Sequence, residues 1–301
     1  MTHHRTISLF IIAMMLAAGA SADDWDVHRP TGPKRAEGLS VFVNAGTLWA
    51  DNNVADFYSG IPGNANTVER VLHSELYGIQ IWDDLTNADL ISSSISNYTM
   101  LTVDEYSHAR YNLSFQFGLG FRYDYPSGFG WLARFDIVQL TVIGAFNLNS
   151  STGGAVLEQR GRYVPCEISG RENRINIDLG LTKRIPLLES IDLDINAGLN
   201  INNTKVLSHD MMIAGRTYSI LDVWNGQSPS YSTQPYEYIN QGGLGVGFFG
   251  TMALAYNITG VGTISLGYTC YRTKINLEGY AATGWQHNLF ARFVINNFIF
   301  F

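Results

Sequence analysis

The chain reads as all-β, closing on itself as an antiparallel transmembrane β-barrel of about eight strands with one short helix in its first external loop. Three observations lead there. Long stretches alternate strictly between apolar and polar residues, the links joining them are alternately tight and long, and past residue 22 no run of ~18 apolar residues is present to make a membrane helix. Charged residues are only 15% and aromatics 13%, with 30 Gly and 16 Tyr, a balance suited to strands and turns. The net charge of −7 comes without a basic stripe, which excludes a nucleic-acid partner.

The alternation is clearest from Tyr111. Odd positions run Tyr111, Leu113, Phe115, Phe117, Leu119, Phe121, Tyr123 and Tyr125, while the even ones run from Asn112 to Asp124 through Ser, Gln, Gly and Arg. Successive strand side chains point to opposite faces, so one face here is apolar and the other polar or small. Ile175, Ile177, Leu179 and Leu181 repeat the pattern against Arg174, Asn176, Asp178, Gly180 and Thr182. Ile191 to Ile201 repeats it again against Asp192, Asp194, Asn196, Gly198, Asn200 and Asn202. A soluble sandwich uses strands of ~5–6 residues, whereas a tilted membrane strand needs ~9–11, and these runs reach the second length.

The predicted strands are Leu39–Ala50, Ala109–Tyr125, Gly130–Leu148, Arg171–Ile185, Ser190–Asn203, Gln241–Tyr256, Gly262–Ile275 and Trp285–Phe300. Tight links at 126–129, 186–189 and 257–261 alternate with long ones at 51–108, 149–170, 204–240 and 276–284, as short inner turns and longer external loops require. Ahead of them, His3, His4 and Arg5, an apolar core Ile7–Ala18 and the small residues Ala20-Ser21-Ala22 form an export-signal pattern. The expected organisation is a signal peptide at 1–22, a periplasmic N-terminal segment at 23–38 and the barrel at 39–301.

Near the end, Leu289, Ala291, Phe293, Ile295, Ile299 and Phe301 share one face against Asn288, Arg292 and Asn296. In this architecture, from Leu39 onward, the chain resembles the small outer-membrane β-barrels of Gram-negative bacteria, and among them uncharacterised envelope barrels with a long first outer loop. The resemblance implies residence in the cell outer membrane, lipid and lipopolysaccharide contacts, and a C-terminal signal (Phe293, Ile295, Ile299, Phe301) read by the barrel-assembly machinery. It implies no activity, and the oligomeric state is left open.

The inward face carries Arg122, Arg134, Arg174 and Arg292 with Asp124, Asp136, Asp178, Asp192 and Asp194. In a lumen that eight strands leave barely wider than its own side chains, these are expected to pair as a structural network. Gly118, Gly120, Gly180, Gly198, Gly243, Gly245, Gly247 and Gly267 share that face and leave room for larger side chains or a loop. The GxGxxG spelled by Gly245–Gly250 lies inside a strand and lacks the helix that phosphate binding needs. On the seventh strand the outward series Ile264, Leu266, Tyr268, Cys270 continues into Arg272 and Lys274, cations that either form a solvated strand extension above the membrane or meet lipopolysaccharide phosphates at the outer boundary.

Val68, Val71, Leu72, Leu76 and Ile79 recur at helical spacing, with Asn66 and Glu69 suited to an N-cap, and predict an amphipathic helix over Thr67–Trp82. It would either lie across the barrel mouth or pack on the loop strands. The histidines His73, His108, His209 and His287 are scattered without ligand spacing, and no outward Ser falls beside His287 in the expected strand pairing, so neither metal, cofactor nor catalysis is expected. Cys166 and Cys270 fall in segments assigned to different sides, and a pairing between them is not expected. The leading function is a non-catalytic envelope barrel serving surface binding or membrane integrity. A narrow solute channel is the alternative, and a lipid-acting barrel enzyme the third.

Overall fold

The computed structural model describes residues 38–64, 66–91, 98, 101–149, 163–224, 240–258 and 262–295. The export-signal pattern at 1–22, residues 23–37, and Ile299 and Phe301 of the terminal motif lie outside them. In chain order the strands are β1 (Gly38–Trp49), β2 (Thr102–Tyr106), β3 (Arg110–Tyr111), β4 (Ser114–Asp124), β5 (Phe129–Asn149) and β6 (Tyr163–Pro186). They continue as β7 (Ile191–Ile213), β8 (Arg216–Ser219), β9 (Leu244–Ile258), β10 (Gly262–Leu277) and β11 (Tyr280–Ile295). Four short helices stand between them: α1 (Asn52–Ala55), α2 (Val68–Leu72), α3 (Gly78–Asn87) and α4 (Ile220–Trp224). A 3-10 turn, Asp56–Ser59, follows α1 directly.

Eight strands close a ring in the order β5, β4, β1, β11, β10, β9, β7, β6 and back to β5, all antiparallel. First and last strands meet in register with Asn44 opposite Arg292. The chain is thus a closed antiparallel transmembrane β-barrel. Phe115, Leu181 and Leu266 on its outside are 72%, 71% and 68% exposed, whereas Asp178 and Asn200 inside are at 0%. That inversion suits a wall bathed in hydrocarbon. The β4–β5 link is a tight turn in which Gly128, at φ +76°, donates its N–H to the Tyr125 carbonyl (2.9 Å).

β5, β6 and β7 have 21, 24 and 23 residues against 12 for β1 and 11 for β4. A membrane crossing takes ~9–11 residues, so these three overshoot on the side of the long links. There β2 and β3 pair with β5, and β8 pairs with β7. The expected links at 149–170, 204–240 and 276–284 are correspondingly shorter in loop, the last reduced to the turn Glu278–Gly279. β9 begins at Leu244, not Gln241; Gln241 is buried and bonds by its side chain to Asn66 of the first loop.

Two expectations fail locally. Tyr111, read as outward, turns inward, because the strand breaks at 112–113 between β3 and β4 and the alternation restarts on the other face. The helix over Thr67–Trp82 is two helices. Thr67, not Asn66, caps α2 by accepting from Arg70 N–H (3.2 Å). Ser74 then ends it by donating to the Val71 carbonyl (2.7 Å) and accepting from Tyr77 N–H (3.1 Å), the competition with helical bonding that serine offers. Ile79, expected on the buried face, is 58% exposed, and Ile81 and Leu85 are buried in its place.

The core has two storeys above the lumen. At the mouth, Val54, Ala55, Phe57 and Tyr58 from the first loop pack on Val142, Val206, Ile275 and Leu277 of the strands and on Ala109 in the link between β2 and β3. Higher up, α2 and α3 lay Val68, Val71, Leu72, Ile81 and Leu85 on the inner face of the strand extensions, against Phe146, Ile168 and Met211. The first loop therefore both plugs the mouth, through residues with no periodic signal, and covers the extension through its helices.

Candidate functional site

Inside the barrel, even positions of β4, β5, β6 and β7 converge on three charge groups. At the inner end Arg122 donates to Asp124 (2.7 Å) and through both terminal nitrogens to Asp194 (2.6 and 3.1 Å). Arg184 adds contacts to Asp124 (3.2 Å), Asp194 (3.4 Å) and Asp192 (3.9 Å). In the middle Arg134 pairs with Asp136 (2.8 Å) and Asp178 and donates to the Tyr271 hydroxyl (2.6 Å), while Asn200 donates to Asp178 (2.7 Å). At the outer end Arg174 donates to Glu172 (2.5 Å), Gln286 (3.1 Å) and the Tyr111 hydroxyl (2.7 Å).

Arg292, expected in the same network, is held differently. Its Nε donates to Asn44 (2.8 Å) and its guanidinium lies 4.5 and 4.8 Å from the Phe42 and Phe290 ring centres. Glu172 and Arg184 escaped the sequence reading although both continue the even positions that bring Arg174 and Asp178 inward; carrying that parity to the strand ends finds them. Tyr271 is found the same way, as an odd position on β10 opposite the outward even series, whereas Tyr58 and Tyr111 carried no such signal, since their place depends on a loop and a strand break.

Room for these side chains comes from the inward glycines. A Cβ at Gly120 would run into the Phe42 ring, and one at Gly170 into the Tyr58 ring. Five arginines and six carboxylates are thus buried in a narrow space; four of the arginines pair with carboxylates as a low-dielectric site requires, and Arg292 meets Asn44 and two ring faces instead. Above them Tyr58 closes the mouth, its hydroxyl donating to Glu172 (2.6 Å). Burial raises that phenol, so it stays a donor.

The described histidines do not assemble. His73 caps α2 and contacts the Leu101 carbonyl (2.9 Å), and His287 bonds outward to the Tyr268 hydroxyl. His108 pairs with Asp56 (3.3 Å) at the surface, but the adjacent Ser107 hydroxyl is turned onto the Ala145 backbone (2.8 Å). His209 is buried beneath the plug. Cys166 is buried on the inner side and Cys270 stands on the outer face; both are free. At the outer boundary Arg272 lies 5.1 Å from the centre of Trp285, with Lys274 exposed above it. Of the terminal motif, Phe293 is half-buried and Ile295 exposed on the outward face.

A closed ring of eight strands with an apolar belt outside and a charged, filled interior defines a small β-barrel of the outer-membrane type. No family model and no curated protein matches the sequence. Among solved structures the chain is similar to neisserial surface protein A, at 8% identity and TM-score 0.37, covering 87% of this chain and 99% of that one. It is similar also to the outer membrane protein OprG from Pseudomonas aeruginosa (10%, TM-score 0.38, 87% and 98%). A third is Ail, the attachment invasion locus protein of Yersinia pestis (11%, TM-score 0.31, 86% and 99%).

Proposed function

We propose that this protein is a non-catalytic outer-membrane barrel whose working surface is the external head built by the first loop and the extensions of β5 to β7. One observation carries the reading: Val54, Ala55, Phe57 and Tyr58 fill the barrel mouth, each at 0% exposure, above a lumen of interlocked charges. A barrel closed at the mouth and filled beneath it supports a platform for surface binding or envelope integrity better than a conduit. In this reading the segment 1–22 directs export, the assembly machinery takes up the last strand through Phe293, Ile295, Ile299 and Phe301, and the outer leaflet is met by Arg272 and Lys274. The engagement of each described histidine with a structural partner supports the non-catalytic part.

Two measurements test this. The mature protein should fractionate with outer membranes and migrate anomalously on gels when unheated; recovery as a soluble periplasmic protein would sink the location. Reconstituted in planar bilayers it should show no steady conductance, and robust ion-selective openings would make it a channel instead.

A further inference from the structure

The plug is held by polar contacts that meet at Tyr58. Its hydroxyl donates to Glu172 (2.6 Å) and its carbonyl accepts from His209 Nε2 (3.1 Å). The other ring nitrogen, Nδ1, faces Asn66 Nδ2 at 3.0 Å. Asn66 and Gln241 bond reciprocally, Asn66 Nδ2 to Gln241 Oε1 (2.8 Å) and Gln241 Nε2 to Asn66 Oδ1 (2.9 Å). Because the Asn66 amide donates into Nδ1, the imidazole carries its proton on Nε2 and is neutral, with both nitrogens used. One histidine thus ties β7 to the 3-10 turn, to the segment ahead of α2 and to the segment ahead of β9.

His209 lies beyond the hydrocarbon. The unbroken outward apolar run of β7 ends at Ile201, and past it the outward series mixes Asn203, Lys205, Ser208 and Asp210 with Leu207 and Met212. Among the described residues, what packs against the ring is uncharged: Phe57 and Tyr58 at 6.0 and 5.1 Å between centres, Asn66, Gln241, and Gly170 opposite on β6. The charged groups nearby are engaged elsewhere. Glu172 and Arg174 pair with each other at the far end of Tyr58, Asp56 contacts His108, and Asp210 stands on the outward face of β7.

We propose that His209 is an acid-sensitive latch, and that protonation of its ring releases residues 57–64 and Asn66 from the barrel mouth. A new proton on Nδ1 meets the Asn66 amide nitrogen. A concerted flip of the Asn66 and Gln241 amides would offer it an oxygen but would leave the charge buried among neutral groups, with no carboxylate among the described residues to pair it. Burial accordingly pushes the imidazole down to about 4 from its ordinary 6.5. The sign follows from that depression. The closed plug holds its full stability above about 6.5 and loses it progressively as pH falls toward about 4, because the released state binds the proton more readily. For one such group the open-to-closed ratio rises roughly 150-fold between pH 8 and pH 4. Release uncovers an apolar cup formed by Val142, Val206, Ile275 and Leu277.

Hydrogen exchange of the protein in lipid nanodiscs, followed by mass spectrometry, tests the latch. After correction for the intrinsic pH dependence of exchange, amides of 57–64 and Asn66 should exchange on the order of 100-fold faster at pH 4 than at pH 8, with the barrel strands unchanged. His209→Gln, which keeps a donor and an acceptor but does not titrate, should abolish that response. An unresponsive wild type, or the same response in His209→Gln, overturns the proposal. Should the variant fail to insert, the imidazole resonance of the wild-type protein decides. A midpoint near 4 that coincides with loss of the amide signals of 57–64 and Asn66 supports the latch, and a midpoint near the ordinary 6.5 overturns it.

Discussion

Leu179 stands at mid-β6 on the outward face, 47% exposed, while Asn196 on the neighbouring β7 points inward at 1%. The two have opposite solvents. Leu179→Arg places a charge in hydrocarbon and should cost about 2–4 kcal/mol of barrel stability, measured by reversible unfolding from vesicles. Asn196→Ala removes an amide that has no hydrogen-bond partner among the described residues and should not carry that cost. Equal, small effects at both would mean the faces are exchanged. This assignment was legible in the sequence, because strand alternation is a local property that needs only one anchored residue. What the alternation could not give is which inward charge meets which: Asp194 serves Arg122 and Arg184 together, while Arg292 has ring faces where a carboxylate was expected.

Among the elements, the first loop departs most from its sequence reading. Its functional segment, 52–59, has no periodicity, and the periodic stretch beyond it is broken by Ser74 using its hydroxyl against the helix. The plug fits only because Gly170 on β6 leaves space for the Tyr58 ring. Gly170→Ala should therefore cost roughly 1–3 kcal/mol through overpacking. In a Tyr58→Ala background the same change should cost less than about 0.5 kcal/mol, since the clash is gone. A coupling near zero in that double-mutant cycle would show that the plug does not rest on β6.

For the whole molecule, strand length decides what lies outside the membrane. β5, β6 and β7 carry the head, whereas β10 reaches the boundary with its cations, Arg272 stacked on Trp285. A guanidinium fixed beside an interfacial Trp is well placed for a bidentate phosphate contact. Changing Arg272 and Lys274 together to Gln should reduce lipopolysaccharide co-purified with the folded barrel by severalfold. Unchanged lipid retention would mean that these residues form only a solvated rim.

The sequence by itself determined the wall. Alternating runs of membrane length, joined by alternately tight and long links, admit few arrangements other than an eight-stranded antiparallel ring, because backbone groups in hydrocarbon must be satisfied within a closed sheet. It also determined that the interior would be charged and that Arg272 and Lys274 would face outward. Tertiary structure alone decided the contents: that Tyr111 turns in at a strand break, that Glu172 receives Tyr58 from a loop over a hundred residues away, and that His209 closes the plug with Asn66 and Gln241. The physical reason is range. Which face a side chain takes follows from its neighbours in the chain, whereas a buried polar group finds its partner across the lumen, among residues that only ring closure brings together.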